Sequence, residues 1–253
     1  MLEAMRGAMD WGRANGRLIA GVSFDIPGMG YRDPGTGAVT GFEADLARAV
    51  GEAILGSAER VEFVQVTDTG RIRDLQEGRV DVVASQLTIT PDRAELVDFS
   101  TPYCVTREGL LVPRDSSIGG FEDLKGKRIA VTDGSVSLRR MRAALPSLPG
   151  ATHVVTPLSA GNLAAIERGE ADAASNDMIN LTMLRAGSAD PERYSIIDIG
   201  DRFDPKPFGM AVRKGDRTLL GLIDQALARL KAGGELDRML EAALARLAHR
   251  PTA

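Results

Sequence analysis

The sequence predicts an α/β fold, and two observations indicate it. Short apolar runs that suit buried strands alternate with segments of helical periodicity, the pattern of a mainly parallel sheet covered on both faces. One phrase also occurs twice, since residues 75–81 and 166–172 agree at their apolar, Gly and Asp positions. Any α/β protein can repeat such a phrase, but two similar units would place polar strand ends across a cleft.

Composition is that of a soluble globular protein. The 253 residues suffice for one large domain or two lobes, with 43% hydrophobic and 26% charged residues. The net charge of -4 and the lack of a basic stripe give no reason to expect a nucleic-acid partner, and the 4% aromatic content argues against base stacking. No apolar run approaches the length of a membrane span.

Metal and catalytic chemistry find little support in the sequence. The single cysteine, Cys104, excludes an intrachain disulfide and is expected to be a buried, inert thiol. His153 and His249 have no neighbouring ligand set, so neither a metal nor a cofactor is expected. Gly-x-Ser-x-Gly, His-Glu-x-x-His and the P-loop pattern are absent, and no catalytic residue is assigned.

The first half of the chain supplies a first set of strands and helices. A short helix containing Trp11 is expected before residue 16, outside the main fold. A Gly/Pro-rich loop over 23–31 and a hairpin turn at 33–37 are expected between the first strand and the first helix. The apolar face of that helix contains Phe42, Leu46, Ala49 and Val50. The predicted strands are 17–22, 61–66 and 80–84, and the predicted helices begin at 41 and 72.

The second half repeats this alternation. Strands are predicted over 128–132, 152–155 and 171–174, and helices over 137–145, 160–168 and 176–186. The chain then returns through one strand over 207–212 and two helices over 219–231 and 236–248.

A polar stretch follows the predicted strand 80–84. Thr90 suits an N-cap and Pro91 suits the first helical position. Arg93 would then be a cation at the positive end of a helix, which is disfavoured by roughly 0.3–1 kcal/mol at an exposed site. Either a bound anion or a surface salt bridge to Asp92 or Glu95 would compensate.

The same stretch carries a family resemblance. Thr-Ile-Thr-Pro-Asp-Arg-Ala at 88–94, followed by Val-Asp-Phe-Ser-Thr-Pro-Tyr at 97–103, resembles the signature of the extracellular solute-binding proteins of amino-acid ABC importers, family 3. The resemblance covers nearly all of the chain after residue 16. It implies the type II periplasmic binding protein fold, in which two Rossmann-like lobes are joined by two hinge crossovers.

The resemblance also implies domain boundaries. Residues 1–16 would be an N-terminal appendage, residues 17–106 and 209–253 the first lobe, and residues 107–208 the second lobe. The segments 110–112 and 210–212 correspond to the two crossovers between the lobes.

A buried site for a free amino acid must satisfy both a carboxylate and an ammonium group. The resemblance assigns the α-carboxylate to Arg93. It assigns the hydroxyl of Thr88, and the local backbone after Gln86, to the ammonium and carboxylate groups of the ligand.

The second lobe would complete this site. The backbone N–H groups of Ser135 and Val136 would contact the same carboxylate, although the family usually has Thr where Val136 stands. Asp177 corresponds to the acidic residue that binds the α-ammonium. Its alternative role is that of a carboxylate favoured at a helix start.

Specificity depends on Arg71. Residues 66–72 resemble a segment of family members that bind acidic amino acids, in which the Arg faces the ligand side chain. The loop 24–30 resembles a glutamate-binding branch, and Ile26 stands where many relatives carry a stacking aromatic. Glutamate or aspartate is therefore expected first and their amides second, unless Arg71 is only a solvated arginine at a helix start.

The expected function is capture of an amino acid by hinge closure and its delivery to the permease of an ABC importer, without enzymatic activity and as a monomer. Two alternatives remain: an enzyme on the same fold, similar to prephenate or arogenate dehydratases, and the sensor domain of a signalling protein. Residues 1–17 contain no export signal. We therefore expect an extracytoplasmic protein whose signal or anchor is not present in this chain.

Overall fold

The computed structural model describes residues 16–248, so the helix expected around Trp11 lies outside the described residues. Two five-stranded sheets organise this part of the chain. We call each sheet with its covering helices a lobe.

The first sheet has the order β5-β1-β6-β15-β7. Strand β1 pairs in parallel with β5 and β6, and β15 is antiparallel to β6 and β7. The bounds are β1 (Leu18–Val22), β5 (Val61–Gln65), β6 (Val82–Val83), β7 (Val97–Phe99) and β15 (Ala211–Arg213).

The second sheet has the same arrangement, β11-β10-β12-β9-β13. Strand β10 pairs in parallel with β11 and β12, and β9 is antiparallel to β12 and β13. Its strands are β9 (Glu108–Pro113), β10 (Arg128–Thr132), β11 (Thr152–Thr156), β12 (Ala173–Asp177) and β13 (Tyr194–Asp198). Strands β6 and β12 thus occupy corresponding central positions in the two sheets.

Helices cover both sheets. In the first lobe they are α1 (Phe42–Leu55), α2 (Arg71–Gln76), α3 (Pro91–Leu96), α7 (Arg217–Ala232) and α8 (Glu235–Ala248). In the second lobe they are α4 (Val136–Ala144), α5 (Ala160–Glu167) and α6 (Met178–Ala186). No helix of residues 16–248 combines the length and apolar character needed to cross a bilayer.

Each sheet has an apolar cluster on either face, because alternate side chains of a strand point to opposite faces. Leu18 and Ala20 of β1 join the cluster under α1 and α7, whereas Ile19 packs against the cluster near α2. In β10, Ile129 and Val131 face one cluster and Ala130 faces the other. Each lobe therefore has three layers, with helices packed on both faces of its sheet. This arrangement accounts for the predicted alternation of buried strands and amphipathic helices.

A two-stranded antiparallel ribbon connects the sheets. It consists of β8 (Cys104–Thr106) and β14 (Lys206–Phe208). The expectation that 110–112 and 210–212 are the crossovers is wrong, because Leu110–Val112 belongs to β9 and Ala211–Val212 to β15, both inside the sheets. The single strand expected over 207–212 is likewise two strands, one in the ribbon and one in the first sheet.

Other departures from the predicted elements are small. The loop expected over 23–31 contains β2 (Asp25–Ile26) and the start of β3 (Gly30–Arg32), which pairs with β4 (Val39–Thr40) across the expected hairpin turn. The strand predicted over 171–174 continues to Asp177, so α6 begins two residues later than expected. Ala49 of α1 is only partly buried, and strands β7, β8 and β13 were not predicted.

Cys104 is half-buried in β8 rather than fully buried. Burial, followed by the charge of Asp177, raises the pKa of this thiol to about 12. The thiol is therefore protonated at neutral pH and a poor nucleophile, as the sequence predicts.

Candidate ligand-binding site

Arg93 lies in the first turn of α3 and reaches across to the second lobe. Thr90 is the N-cap and Pro91 the first helical residue, as predicted. The Arg93 side chain is only 6% exposed and donates one hydrogen bond to the carbonyl of Thr88 at 3.0 Å and another to the carbonyl of Gly134 at 3.1 Å. Within residues 16–248 its guanidinium has no carboxylate partner, so the expected alternative of a salt bridge to Asp92 or Glu95 is wrong.

The electrostatic surroundings of Arg93 favour an anion. Burial, followed by the charge of Arg71, lowers the pKa of Arg93 to about 9. Arg93 is still a cation at neutral pH, and it forms no ion pair within residues 16–248. A carboxylate placed against such a guanidinium would form short, charge-assisted hydrogen bonds.

Gln86 is held in an unusual backbone conformation. Its φ of 47° makes it the one non-glycine residue with positive φ in the described part of the chain. Its N–H donates to Glu43 Oε1 at 2.6 Å, and its side-chain Oε1 accepts from Asn180 Nδ2 at 2.8 Å. The chain turns at Gln86, after the end of β6, and continues to Thr88. The side chain of Thr88 is also buried.

Glu43 is the buried partner that fixes this loop. It is fully buried near the start of α1, where its Oε1 also accepts a hydrogen bond from the Tyr103 hydroxyl. Burial raises the pKa of Glu43 to about 7, although the hydrogen bonds from Tyr103 and Gln86 and the charge of Arg71 oppose this. Its second oxygen, Oε2, is buried and has no hydrogen-bond partner within residues 16–248.

Arg71 begins α2, one residue before the predicted start of this helix, and it is not solvated. It is 2% exposed and donates to the carbonyl of Ser85, the residue before Gln86. Its charge is paired with Asp68 at 2.8 Å. The alternative interpretation of a solvated arginine at a helix start is therefore wrong.

Asp177 ends β12 and is the N-cap of α6, accepting from the Asn180 N–H at 2.9 Å. It is 3% exposed, and burial raises the pKa of this carboxyl to about 6 while the charge of Lys206 opposes the shift. Asn180 also donates a hydrogen bond to Gln86, which follows β6. Asn180 is therefore bonded both to the end of β12, through Asp177, and to the loop that follows the corresponding strand β6.

Ser135 and Val136 form the start of α4 at the end of β10. The Ser135 hydroxyl caps the helix by accepting from the Leu138 N–H at 3.0 Å, and both residues are buried. The preceding residue, Gly134, packs closely on the first lobe, since a Cβ there would lie 2.9 Å from the Asp68 carbonyl carbon. Its carbonyl is the one that accepts from Arg93.

All seven residues that the sequence selects lie at strand ends, at helix starts or in the loop after β6, and two of them, Arg93 and Gln86, form hydrogen bonds between the lobes. The seven are Arg71, Gln86, Thr88, Arg93, Ser135, Val136 and Asp177. Sequence reasoning missed Glu43 and Asn180. Each had a signal: Glu43 lies one turn before Leu46 and Ala47 on the buried face of α1, and Asn180 lies three residues after Asp177.

A second buried cluster lies beside Asp177. Lys206 is 2% exposed and contacts Glu108 at 2.8 Å and the Ser137 hydroxyl at 2.6 Å. Glu108 is fully buried and also accepts from Arg140 at 3.3 Å and from Ser175 at 2.9 Å. Lys206 belongs to the ribbon strand β14, whereas Glu108 is the first residue of β9 in the second lobe. Their ion pair therefore links the ribbon to the second lobe.

Metal binding finds no support in the described part of the chain. No group of three or more His, Cys, Asp and Glu side chains within residues 16–248 is arranged to hold an ion. The charged groups described above are instead the buried guanidinium of Arg93, which reaches the second lobe, and the buried carboxyl of Asp177 within that lobe.

Comparisons with known proteins place the chain among amino-acid-binding proteins. Residues 18–244 match the family described as bacterial extracellular solute-binding proteins, family 3. The chain is 31% identical to an ABC transporter glutamine-binding protein of Bacillus subtilis, over 89% of this chain and 80% of that protein. It is 33% identical to a glutamine-binding protein of Geobacillus stearothermophilus, over 80% and 74% of the two chains. Other relatives are named for glutamate and for L-cystine.

Solved structures agree with the predicted fold. An ancestral amino-acid-binding protein described as a precursor of cyclohexadienyl dehydratase superposes with a TM-score of 0.79 at 32% identity, over 93% of this chain and 98% of that one. The predicted fold class, a two-lobed α/β fold of the type II periplasmic binding protein kind, is confirmed, and so is the family resemblance. The chain belongs to the bacterial extracellular solute-binding proteins of family 3.

Proposed function

We propose that this chain holds one α-amino acid between its lobes, with Arg93 on the α-carboxylate and Asp177 on the α-ammonium, and delivers it to the permease of an ABC importer. The names of its relatives support an amino-acid ligand and an ABC transporter partner, and they support a binding protein rather than an enzyme. The observation that carries the proposal is that Arg93, a buried cation of the first lobe, reaches the Gly134 carbonyl of the second lobe, which also holds the buried carboxyl of Asp177.

A zwitterion complements this arrangement. The guanidinium of Arg93 has only carbonyl partners, and a carboxylate would supply the missing negative charge. Burial raises the pKa of Asp177, so an ammonium beside it would stabilise its ionised form. The α-carboxylate of the ligand would therefore neutralise the buried charge of Arg93, and its α-ammonium would neutralise that of Asp177.

The side-chain subsite is less cationic than the sequence suggests. Arg71 is already paired with Asp68 at 2.8 Å, and Glu43, whose pKa burial raises to about 7, is a second carboxyl that interacts with it. A side-chain carboxylate would have to compete with Asp68 for Arg71, and it would be repelled by Glu43 in its ionised form. Both effects disfavour an acidic ligand.

The hydrogen-bonding groups around Gln86 favour a neutral side chain with both donors and acceptors. Among the described residues, Arg71 Nε and Gln86 Nε2 are buried donors without a partner, and Asn180 Oδ1 is a buried acceptor without one. Glu43 Oε2 is also unpaired there, and it accepts when Glu43 is ionised and donates when Glu43 is protonated. Whichever way the amides of Gln86 and Asn180 are oriented, one donor and one acceptor of that pair remain free. A carboxylate could satisfy only the donors, whereas a primary amide could satisfy both.

We therefore place the amides, glutamine and asparagine, before glutamate and aspartate, which reverses the order expected from the sequence. The glutamine-binding names of two relatives support this order. We further propose an extracytoplasmic location, because the family is extracellular.

Isothermal titration calorimetry with L-glutamine, L-asparagine, L-glutamate and L-aspartate tests the proposal. The protein is first unfolded and then refolded, so that any ligand it carries is removed before the titration. We expect an amide to bind at least about tenfold more tightly than its acid, the size of one unsatisfied buried polar group. Asp68→Asn should narrow this difference by freeing the charge of Arg71. The matched control is Asp74→Asn, because Asp74 pairs with the half-exposed Arg79 instead.

Two results would contradict the proposal at different levels. Tighter binding of an acid by the wild-type protein would overturn the amide preference and restore the role that the sequence assigns to Arg71. Binding of none of the amino acids would overturn amino-acid capture itself.

A further inference from the structure

Helix α5 of the second lobe lacks a cap from its own chain segment. Its N-cap residue, Ser159, makes no side-chain hydrogen bond to the helix, and no acidic residue lies in the first turn. The Ser159 hydroxyl is instead directed at Thr132, Asn176 and Asn180, at 3.3–3.5 Å. Within the second lobe, the N–H groups of Gly161 and Asn162 donate to the carbonyls of Leu158 and Ser159 at 3.0 Å. Of the first three N–H groups of α5, the Ala160 N–H is therefore the one whose partner lies outside this lobe.

The missing cap comes from the first lobe. Asp25 lies in β2, and its Oδ2 accepts a hydrogen bond from the Ala160 N–H, the first residue of α5, at 3.1 Å. Burial raises the pKa of Asp25, while the N–H groups of Ala160, of Asp25 itself and of Ser159 oppose that shift. A carboxylate at a helix N-terminus is also favoured by the helix dipole.

The residues that follow Asp25 contact the second lobe as well. A Cβ at Gly187, which follows α6, would lie 2.8 Å from the Pro27 side chain, and a Cβ at Gly28 would lie 2.5 Å from Met183 Sδ. The segment from Asp25 to Gly28 therefore lies directly against α5 and α6, and its packing depends on the relative position of the lobes.

We propose that Asp25 is a positioning residue for ligand retention, because it caps α5 of the opposite lobe only when the lobes are closed. The proposal rests on the proposed function, since closure matters only for a protein that retains a ligand in its cleft. Opening by hinge motion would separate Asp25 from Ala160 and expose the first turn of α5 to water. The cap thus adds to the stability of the closed state without a contact to the ligand.

The contribution of this cap differs from that of the other contacts between the lobes. Arg93 with Gly134 and Gln86 with Asn180 belong to the site itself. The ion pair between Asp92 and Arg139 spans 2.8 Å, but both side chains are more than half exposed, so it contributes little. Losing a helix cap, by contrast, changes an equilibrium constant by roughly 2- to 30-fold.

Stopped-flow measurement of L-glutamine association and dissociation tests the proposal with three variants. Asp25→Ala removes the acceptor, and we expect a dissociation rate raised by about 5- to 30-fold with an association rate within about twofold of wild type. Asp25→Asn keeps an acceptor oxygen that caps helices well, and should stay within about threefold of wild type. Asp92→Ala is the matched control at the exposed pair, and should stay within about threefold as well.

A ligand-independent readout separates failure of this proposal from failure of the proposed function. Spin labels at the exposed positions Ala53 of α1 and Ala143 of α4, in a Cys104→Ser background, report the distance between the lobes with and without L-glutamine. Asp25→Ala should shift this distance toward the more open value, and Asp25→Asn should not. That comparison remains informative even if the wild-type protein binds no amino acid.

Two outcomes would overturn the role of Asp25. The first is a dissociation rate and a distance distribution of Asp25→Ala that match wild type. The second is an equal loss in Asp25→Asn, which would mean that the charge of Asp25, not its capping oxygen, is what matters.

Discussion

Arg93 donates a hydrogen bond across the cleft to the Gly134 carbonyl at 3.1 Å, and the residue after Gly134 caps α4. One side chain of the first lobe therefore lies against the helix start that the sequence assigns to the same ligand carboxylate. This relationship brings the helical signature of one half of the chain into contact with the Gly-Ser phrase of the other half, and it supports the proposal that both belong to a single site.

The first prediction concerns the shape of the Arg93 side chain. Arg93→Lys keeps the charge but removes the planar fork that a carboxylate binds with two hydrogen bonds. We expect calorimetry to show amino-acid affinity reduced by about 10- to 100-fold, the range for hydrogen bonds to charged groups. Arg139→Lys, at the exposed interlobe pair, is the matched control and should bind almost as wild type does; equal affinities for both variants would remove Arg93 from the carboxylate site.

The second prediction concerns the ionisation of Asp177. Its pKa is raised to about 6, and the ligand ammonium requires the ionised form. Amino-acid affinity should therefore fall as the pH decreases below about 6, approaching tenfold per pH unit, and Asp177→Asn should abolish both the high affinity and this dependence. Because Asp177 is also a helix cap, Asp216→Asn at the N-cap of α7 is the control; a similar loss of affinity there would point to helix stability rather than ligand contact.

The third prediction concerns the fully buried Glu43. Burial raises its folded-state pKa from 4.5 to about 7, so the folded protein binds more protons than the unfolded chain over this range. The free energy of unfolding should thus be highest below about pH 4.5, as far as this group is concerned, and should fall by on the order of 1–3 kcal/mol as the pH rises through about 7.

Glu43→Gln removes that titration while it keeps an acceptor for the Gln86 N–H. Urea denaturation at several pH values should therefore give the variant a flatter profile, with the gain over wild type largest above about pH 7. A variant with the same pH profile as wild type would show that Glu43 does not titrate in this range.

The fourth prediction concerns the ion pair of Lys206 and Glu108. Lys206→Met leaves Glu108 buried with only Arg140 as a cationic partner, and should reduce the free energy of unfolding by about 3 kcal/mol. The double variant Glu108→Gln with Lys206→Met should recover much of that loss. Additive losses in the double variant would mean that the two charges are not coupled.

The sequence predicted the parts of the fold whose cause is local. The N-cap and first-turn chemistry of Thr90 and Pro91 depends on neighbouring residues, and it predicts α3 correctly. The connection between the lobes depends on pairing between β8 and β14, about a hundred residues apart in sequence, and no local pattern reports such a partner. The crossovers were therefore placed inside β9 and β15, and the domain boundaries stay a prediction.

The candidate site divides in the same way. Residues of the motif, such as Arg93 and Asp177, could be selected because their types and spacing match a signature. The state of Arg71 could not, because its pairing with Asp68 and its burial are tertiary properties. Glu43 was missed for a similar reason, since a Glu near a helix start is normally solvated, and only burial gives it a different role.

The most direct test of the central claim is calorimetric titration of the refolded protein with L-glutamine and two analogues, one without the α-amino group and one without the α-carboxylate. Recognition of both charged ends by Asp177 and Arg93 predicts measurable binding of L-glutamine and at least about tenfold weaker binding of each analogue. Binding of either analogue as tightly as L-glutamine would contradict the assignment of the charged group that the analogue lacks.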